Sequence, residues 1–191
     1  SFFIMFTIGI TKGRWNTMVT ELQQFKDDYD RNLPLWRVLP EFVAAHPRYE
    51  KVGLRELCDA IHGIYRANDI GRITTEMYVS HLEPAMKPAD AFARMAHREI
   101  ERIEIDHLEG RVTSALVTPY PPGIPLLIPG ERFNRQIVKY LQFARDFNER
   151  FPGFDTDIHG LVEEEDGGRR RYFVDCVAGA GAPARRRSRK S

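Results

Sequence analysis

The chain has 191 residues, of which 42% are hydrophobic and 11% aromatic, enough for one ordinary domain, or one domain plus part of another, with a sizeable core; a disordered chain is excluded. Its net charge of +1 hides an uneven distribution: Arg185, Arg186, Arg187, Arg189 and Lys190 crowd into the C-terminal end, and the remainder carries 23 basic against 27 acidic residues, a net of −4. Such an acidic body lacks the basic face that nucleic acid requires, and no apolar run approaches the roughly 20 residues of a membrane span, so neither nucleic acid nor membrane is an expected partner.

In chain order, Phe2 to Ile10 is an almost continuous apolar run that reads as a buried strand. It has no polar lead-in and no signal-peptide features, and a buried strand at the very start suggests the C-terminal portion of something longer. Gly13 to Asp30 follows, with Trp15, Met18, Val19, Leu22, Phe25 and Tyr29 at helical spacing, which predicts an amphipathic helix with these residues in the core. Leu33-Pro34-Leu35 ends it, a short helical piece covers Glu41 to Ala45, and a second long helix runs from Gly53 to about Asn68. Thr74 to Ser80 continues helically. Glu83 to Pro88 reads as a linker, and Pro88 suits the first turn of a helix through about Arg98.

Ile100 to Ile105 alternates apolar and charged residues, the pattern of a half-buried strand. Arg111 to Phe133 then joins two apolar, strand-like runs through a turn stiffened by Pro119, Pro121, Pro122, Pro125 and Pro129. So many missing donors exclude a central strand and leave an edge or a structured loop. Gly123 and Gly130 supply backbone freedom there, and Tyr120 and Glu131 stand beside the bends, free to touch a ligand; the plainer alternative is a rigid crossover. Asn134 can cap a helix through about Phe151, and Asp157 to Val162 with Arg171 to Val177 flank Asp166-Gly167-Gly168 as a terminal hairpin. The tail from Gly179 has a coreless composition and is expected to be disordered.

Chemistry is sparse. Cys58 and Cys176 sit in apolar patterns and read as buried thiols of a reducing compartment, with cytoplasm the default. The six histidines show no metal-ligand spacing, and no phosphate loop or catalytic triad can be argued. Two polar clusters remain. Thr11-Lys12-Gly13 lies between strand and helix, where anions and ligands gather in open α/β sheets; the plainer alternative, and the one the residues favour, is a simple strand-to-helix turn. Asp157-Ile158-His159-Gly160 is the other, with His159 expected to orient the fold by hydrogen bonding rather than to act as an acid or base.

Several runs carry a resemblance: Phe6-Thr7-Ile8-Gly9-Ile10-Thr11-Lys12-Gly13, Gly53-Leu54-Arg55-Glu56-Leu57-Cys58, Pro84 to Phe92, Pro119-Tyr120-Pro121-Pro122-Gly123-Ile124-Pro125, Pro129-Gly130-Glu131 and Phe151-Pro152-Gly153-Phe154-Asp155-Thr156-Asp157-Ile158-His159-Gly160. Over residues 1–162 the chain resembles the C-terminal part of the bacterial ornithine/lysine/arginine decarboxylases, fold type I pyridoxal-phosphate enzymes. The resemblance implies an α+β architecture, with residues 1–46 ending a small α/β domain, 47–178 forming the family's C-terminal domain and 179–191 a disordered basic tail. It implies a parent that binds pyridoxal 5'-phosphate, acts on a basic amino acid and forms a homodimer or higher homo-oligomer. The Ser-x-His-Lys motif that carries the family's cofactor lysine is absent from the sequence, and Lys12 stands in a different context. The chain alone is therefore expected to be inactive. Thr11, Lys12, Tyr120, Gly123 and Glu131 are the residues expected to face the active-site entrance, Glu131 as an acidic attraction for a dibasic substrate. The rival expectation is a stand-alone, non-catalytic module that binds and modulates a related decarboxylase.

Overall fold

A computed structural model describes Gly9 and residues 11–120, 122–167 and 169–181. The expected strand at Phe2 to Ile10, apart from Gly9, lies outside the described residues, as do Pro121, Gly168 and the tail beyond Gly181. The chain divides into two compact units, residues 1–64 and 65–191.

In the first unit the described residues are helical: α1 (Lys12–Asp30), α2 (Leu35–Val38), α3 (Pro40–Ala45), a 3-10 turn (Pro47–Tyr49) and α4 (Leu54–Ala67), which runs into the second unit. Thr11 caps α1, its hydroxyl accepting from the Arg14 N–H at 3.4 Å. The expectation that the α1 stripe is core is corrected here. α1 has no buried residue, and Trp15, Leu22 and Phe25 are exposed. After α1 the chain reverses at Asn32 (φ 51°), whose side-chain oxygen accepts from the backbone N–H groups of Arg55 and Glu56 and so caps α4 from a distance. Cys58 is only half-buried, which corrects its reading as a core thiol.

The second unit combines α5 (Ile70–Val79), α6 (Pro88–Ala96) and α7 (Arg135–Arg150) with three small antiparallel sheets. Strands β1 (Glu83–Pro84) and β4 (Glu131–Arg132) form one pair, so the expected linker at 83–88 contains a strand. Its proline is tolerated because the pair is an edge, and the next two N–H groups, of Ala85 and Met86, donate to the Gly130 carbonyl. Strands β2 (Ile100–Glu104), β7 (Arg169–Val177) and β6 (Leu161–Asp166) form the second sheet, with β7 central. Strands β3 (Thr118–Tyr120) and β5 (Asp157–His159) form the third. The stretch expected as one strand from Asp157 to Val162 is split at Gly160 (φ 92°), where the chain leaves β3 and turns to β7.

α7 is the centre of the core. Asn134 caps it, accepting from the Ile137 N–H at 2.9 Å, and Ile137, Val138, Tyr140, Leu141, Ala144 and Phe147 are buried along one side. All of these but Phe147 pack in one cluster with Ile105, Leu108, Val117, Leu126, Leu127, Phe133, Val174 and Cys176. Each large apolar side chain so buried contributes about 1.5–3 kcal/mol. The architecture is α+β, and among the described residues no helix is long and apolar enough to cross a membrane.

Candidate functional site at the proline-rich turn

The proline-rich segment is a structured loop clamped at both ends. The Val117 N–H donates to Leu127 O, and the Leu126 N–H returns a bond to Val117 O. Leu126 and Leu127 drop into the core while Leu116, Ile124 and Ile128 stay exposed. Between the clamps, Gly123 adopts φ 81° and its N–H donates to Pro119 O at 2.9 Å. A Cβ at that position would lie 3.4 Å from the Tyr120 ring, so the ring rests against the glycine and keeps its other side open, with 62% of the residue exposed.

Tyr120 is positioned by the β3–β5 ladder. Thr118 stands opposite His159 and Tyr120 opposite Asp157. Alternation puts these four residues on one face, and Pro119 and Ile158 on the other, where both are buried. On the polar face His159 Nε2 lies 3.6 Å from Asp157 Oδ2, too far for a hydrogen bond, and both side chains are exposed. Thr118 is 8% exposed and its hydroxyl has no hydrogen-bond partner. The exposed, loosely placed imidazole does not hold the fold together as expected; the His159 backbone, paired with Thr118, does that.

Glu131 serves its own turn. One of its carboxylate oxygens accepts from the Ile128 N–H at 2.8 Å, and its backbone pairs with Pro84. The acid directly across from Tyr120 is Asp157, which the sequence reading did not single out as a ligand contact. The signal was present, since Thr118-x-Tyr120 and Asp157-x-His159 both place polar groups at strand period. Thr11 and Lys12 belong to the first compact unit, where Lys12 is the exposed first residue of α1. Tyr120, Gly123 and Glu131 belong to the second.

Other polar groups are engaged in holding the fold. Arg171 grips Glu104 through two hydrogen bonds, 3.0 and 2.8 Å, which hold that carboxyl below its ordinary range. Burial pushes Asp106 up, but hydrogen bonds from Gln142 and Arg145 outweigh it and leave the group lowered. Burial also drives the Cys176 thiol and the Tyr140 phenol up to about 12, so both stay neutral and inert. A cleft of about 690 Å³ along α6 is lined by Met86, Asp90, Ala93, Arg94, His97 and Glu99, with Arg94 and Glu99 paired at 2.7 Å. Among the described residues no cluster of three His, Cys, Asp or Glu side chains could hold a metal ion.

The family described as "Orn/Lys/Arg decarboxylase, C-terminal domain" matches residues 71–178. The lysine decarboxylase LdcA of Pseudomonas aeruginosa is 48% identical over 93% of this chain, and the biodegradative arginine decarboxylase of Escherichia coli 36% identical over 91%. These matches span 24% and 23% of the relatives' own lengths, so the chain corresponds to about a quarter of each. Among solved structures, lysine decarboxylase A from Pseudomonas aeruginosa superimposes with a TM-score of 0.84 at 48% identity, covering 91% of this chain and 24% of that one. The constitutive lysine decarboxylase of E. coli gives 0.82 at 33% identity, covering 91% and 25%.

Proposed function

The chain belongs to the Orn/Lys/Arg decarboxylase family, and on that premise we propose that it is the C-terminal region of a cytoplasmic, pyridoxal-phosphate-dependent decarboxylase. Its parent converts lysine, arginine or ornithine to the corresponding amine and carbon dioxide. The chain contributes a wall of the active-site entrance and part of the assembly surface of a homodimer or larger oligomer. Residues 1–46 end the parent's small domain and 47–178 form its C-terminal domain.

The observation that carries this reading is the extent of the match, most of this chain against a quarter of each relative. The exposed Leu22 and Phe25 on α1 agree with it, since large apolar side chains left exposed along one helix suit a surface that another part of the protein covers. The described residues do not suit the cofactor. Among them Lys12, Lys26, Lys51, Lys87 and Lys139 are all exposed, and none lies in an enclosed cleft of the kind that shelters a cofactor Schiff base. Pyridoxal phosphate therefore belongs to the remainder of the parent, and no chemical step is assigned to this chain. Thr11, Lys12, Tyr120, Gly123 and Glu131 are the residues proposed to face the entrance, with Glu131 as an acid that raises the local concentration of a cationic amino acid.

Visible absorption checks the division of labour. The chain mixed with pyridoxal phosphate should show no lysine Schiff-base band that survives gel filtration, whereas the whole polypeptide should show one that borohydride abolishes. A stable, reducible band on the chain alone would refute the assignment.

A further inference from the structure

We propose that the polar face of the β3–β5 pair is a subsite for a primary alkylammonium group, formed by Asp157, Tyr120 and the Thr118 hydroxyl. Resting on the function proposed above, its occupant is the side-chain ammonium of the basic amino acid, or of the amine it becomes. The three groups come from two strands whose register fixes them side by side, Tyr120 directly opposite Asp157 and Thr118 two residues before Tyr120. Each offers what an ammonium needs. The Asp157 carboxylate is exposed, and its contact with His159, at 3.6 Å, is longer than a hydrogen bond. The Tyr120 ring, seated on Gly123, leaves one π-face open to a cation. The Thr118 hydroxyl is a buried polar group without a partner, which a native protein rarely keeps unless something arrives to satisfy it.

The face is also held rigid. Ile158 and Pro119 anchor its reverse side in buried positions, and a Cβ at Gly160 would lie 2.3 Å from Leu116 O, so the strand exit admits only glycine. A preorganised carboxylate beside an aromatic face binds a cation without first reorganising. Glu131, with one oxygen bound to the Ile128 amide, is less suited to this task than Asp157.

The test uses the full-length holoenzyme, with carbon dioxide release measured on lysine, arginine and ornithine and calorimetric binding of 1,5-diaminopentane. Asp157→Asn and Tyr120→Leu should each raise KM about tenfold while kcat changes less than about twofold, and should weaken diamine binding in parallel. Thr118→Val should do the same to a smaller degree, and Tyr120→Phe should recover most of what Tyr120→Leu loses. Unchanged KM and unchanged diamine affinity in folded Asp157→Asn and Tyr120→Leu would overturn the subsite. A parent that decarboxylates none of the three amino acids, yet binds the diamine in an Asp157-dependent way, would refute the proposed function and leave the subsite standing.

Discussion

Asn32 and Gly53 make a contact that only this pair of residues allows. Asn32 tolerates a left-handed backbone and sends its amide oxygen to two free N–H groups at the start of α4, while a Cβ on residue 53 would sit 2.2 Å from that oxygen. Asn32→Ala should therefore cost about 1–2 kcal/mol in denaturant unfolding, the usual loss for a removed cap. Gly160→Ala should cost about 2 kcal/mol or more, since it adds a clash with Leu116 O to a strained φ. Acid should weaken the fold through Glu104 and Asp106. Both carboxyls are lowered in the folded state, so their contribution is full above the ordinary carboxylate range and is lost as pH falls through the folded values. The urea midpoint should drop on going from about pH 5 to about pH 3, and Glu104→Gln should make that drop shallower. Of these residue-scale features the sequence showed only the glycines and the motif around Gly53. The Asn32 cap joins positions more than twenty apart, and no local pattern announces such a bond.

At the scale of elements, periodicity was a good guide wherever one face meets the core. α7 was legible to its cap, because Asn134 precedes a stripe that α7 buries, and Leu141→Ala should cost about 2–5 kcal/mol with α7 still formed by circular dichroism. The same reasoning found α1 but misplaced its surroundings, since an amphipathic pattern states that a face is to be covered and is silent on what covers it. Replacing Leu22 and Phe25 by Glu should leave α1 helical and reduce self-association of the isolated chain in light scattering. β1 was missed because two residues, one of them proline, give no alternation to read. The split between β5 and β6 was missed for a related reason: Gly160 interrupts no hydrophobic pattern, and only the ladder partners reveal that the chain changes sheets there.

For the whole molecule, a family match over residues 71–178 and relatives of which the chain spans about a quarter support the proposal that it is the C-terminal region of a larger decarboxylase. Its family was legible from short motifs, notably the Pro-Tyr-Pro-Pro-Gly run and the Asp-Ile-His-Gly run, and the structure explains why these belong together: β3 and β5, which pair, are drawn from them. The geometry of that pairing could not be read from either motif alone, and with it Asp157 stands beside Tyr120. The most direct measurement is carbon dioxide release from carboxyl-labelled lysine, arginine and ornithine, with pyridoxal phosphate supplied, by the chain alone and by the polypeptide of its entire reading frame. The account predicts release by the whole polypeptide on at least one of the three and none by the chain alone; release by the chain alone, or none from the whole polypeptide on any of them, would contradict it.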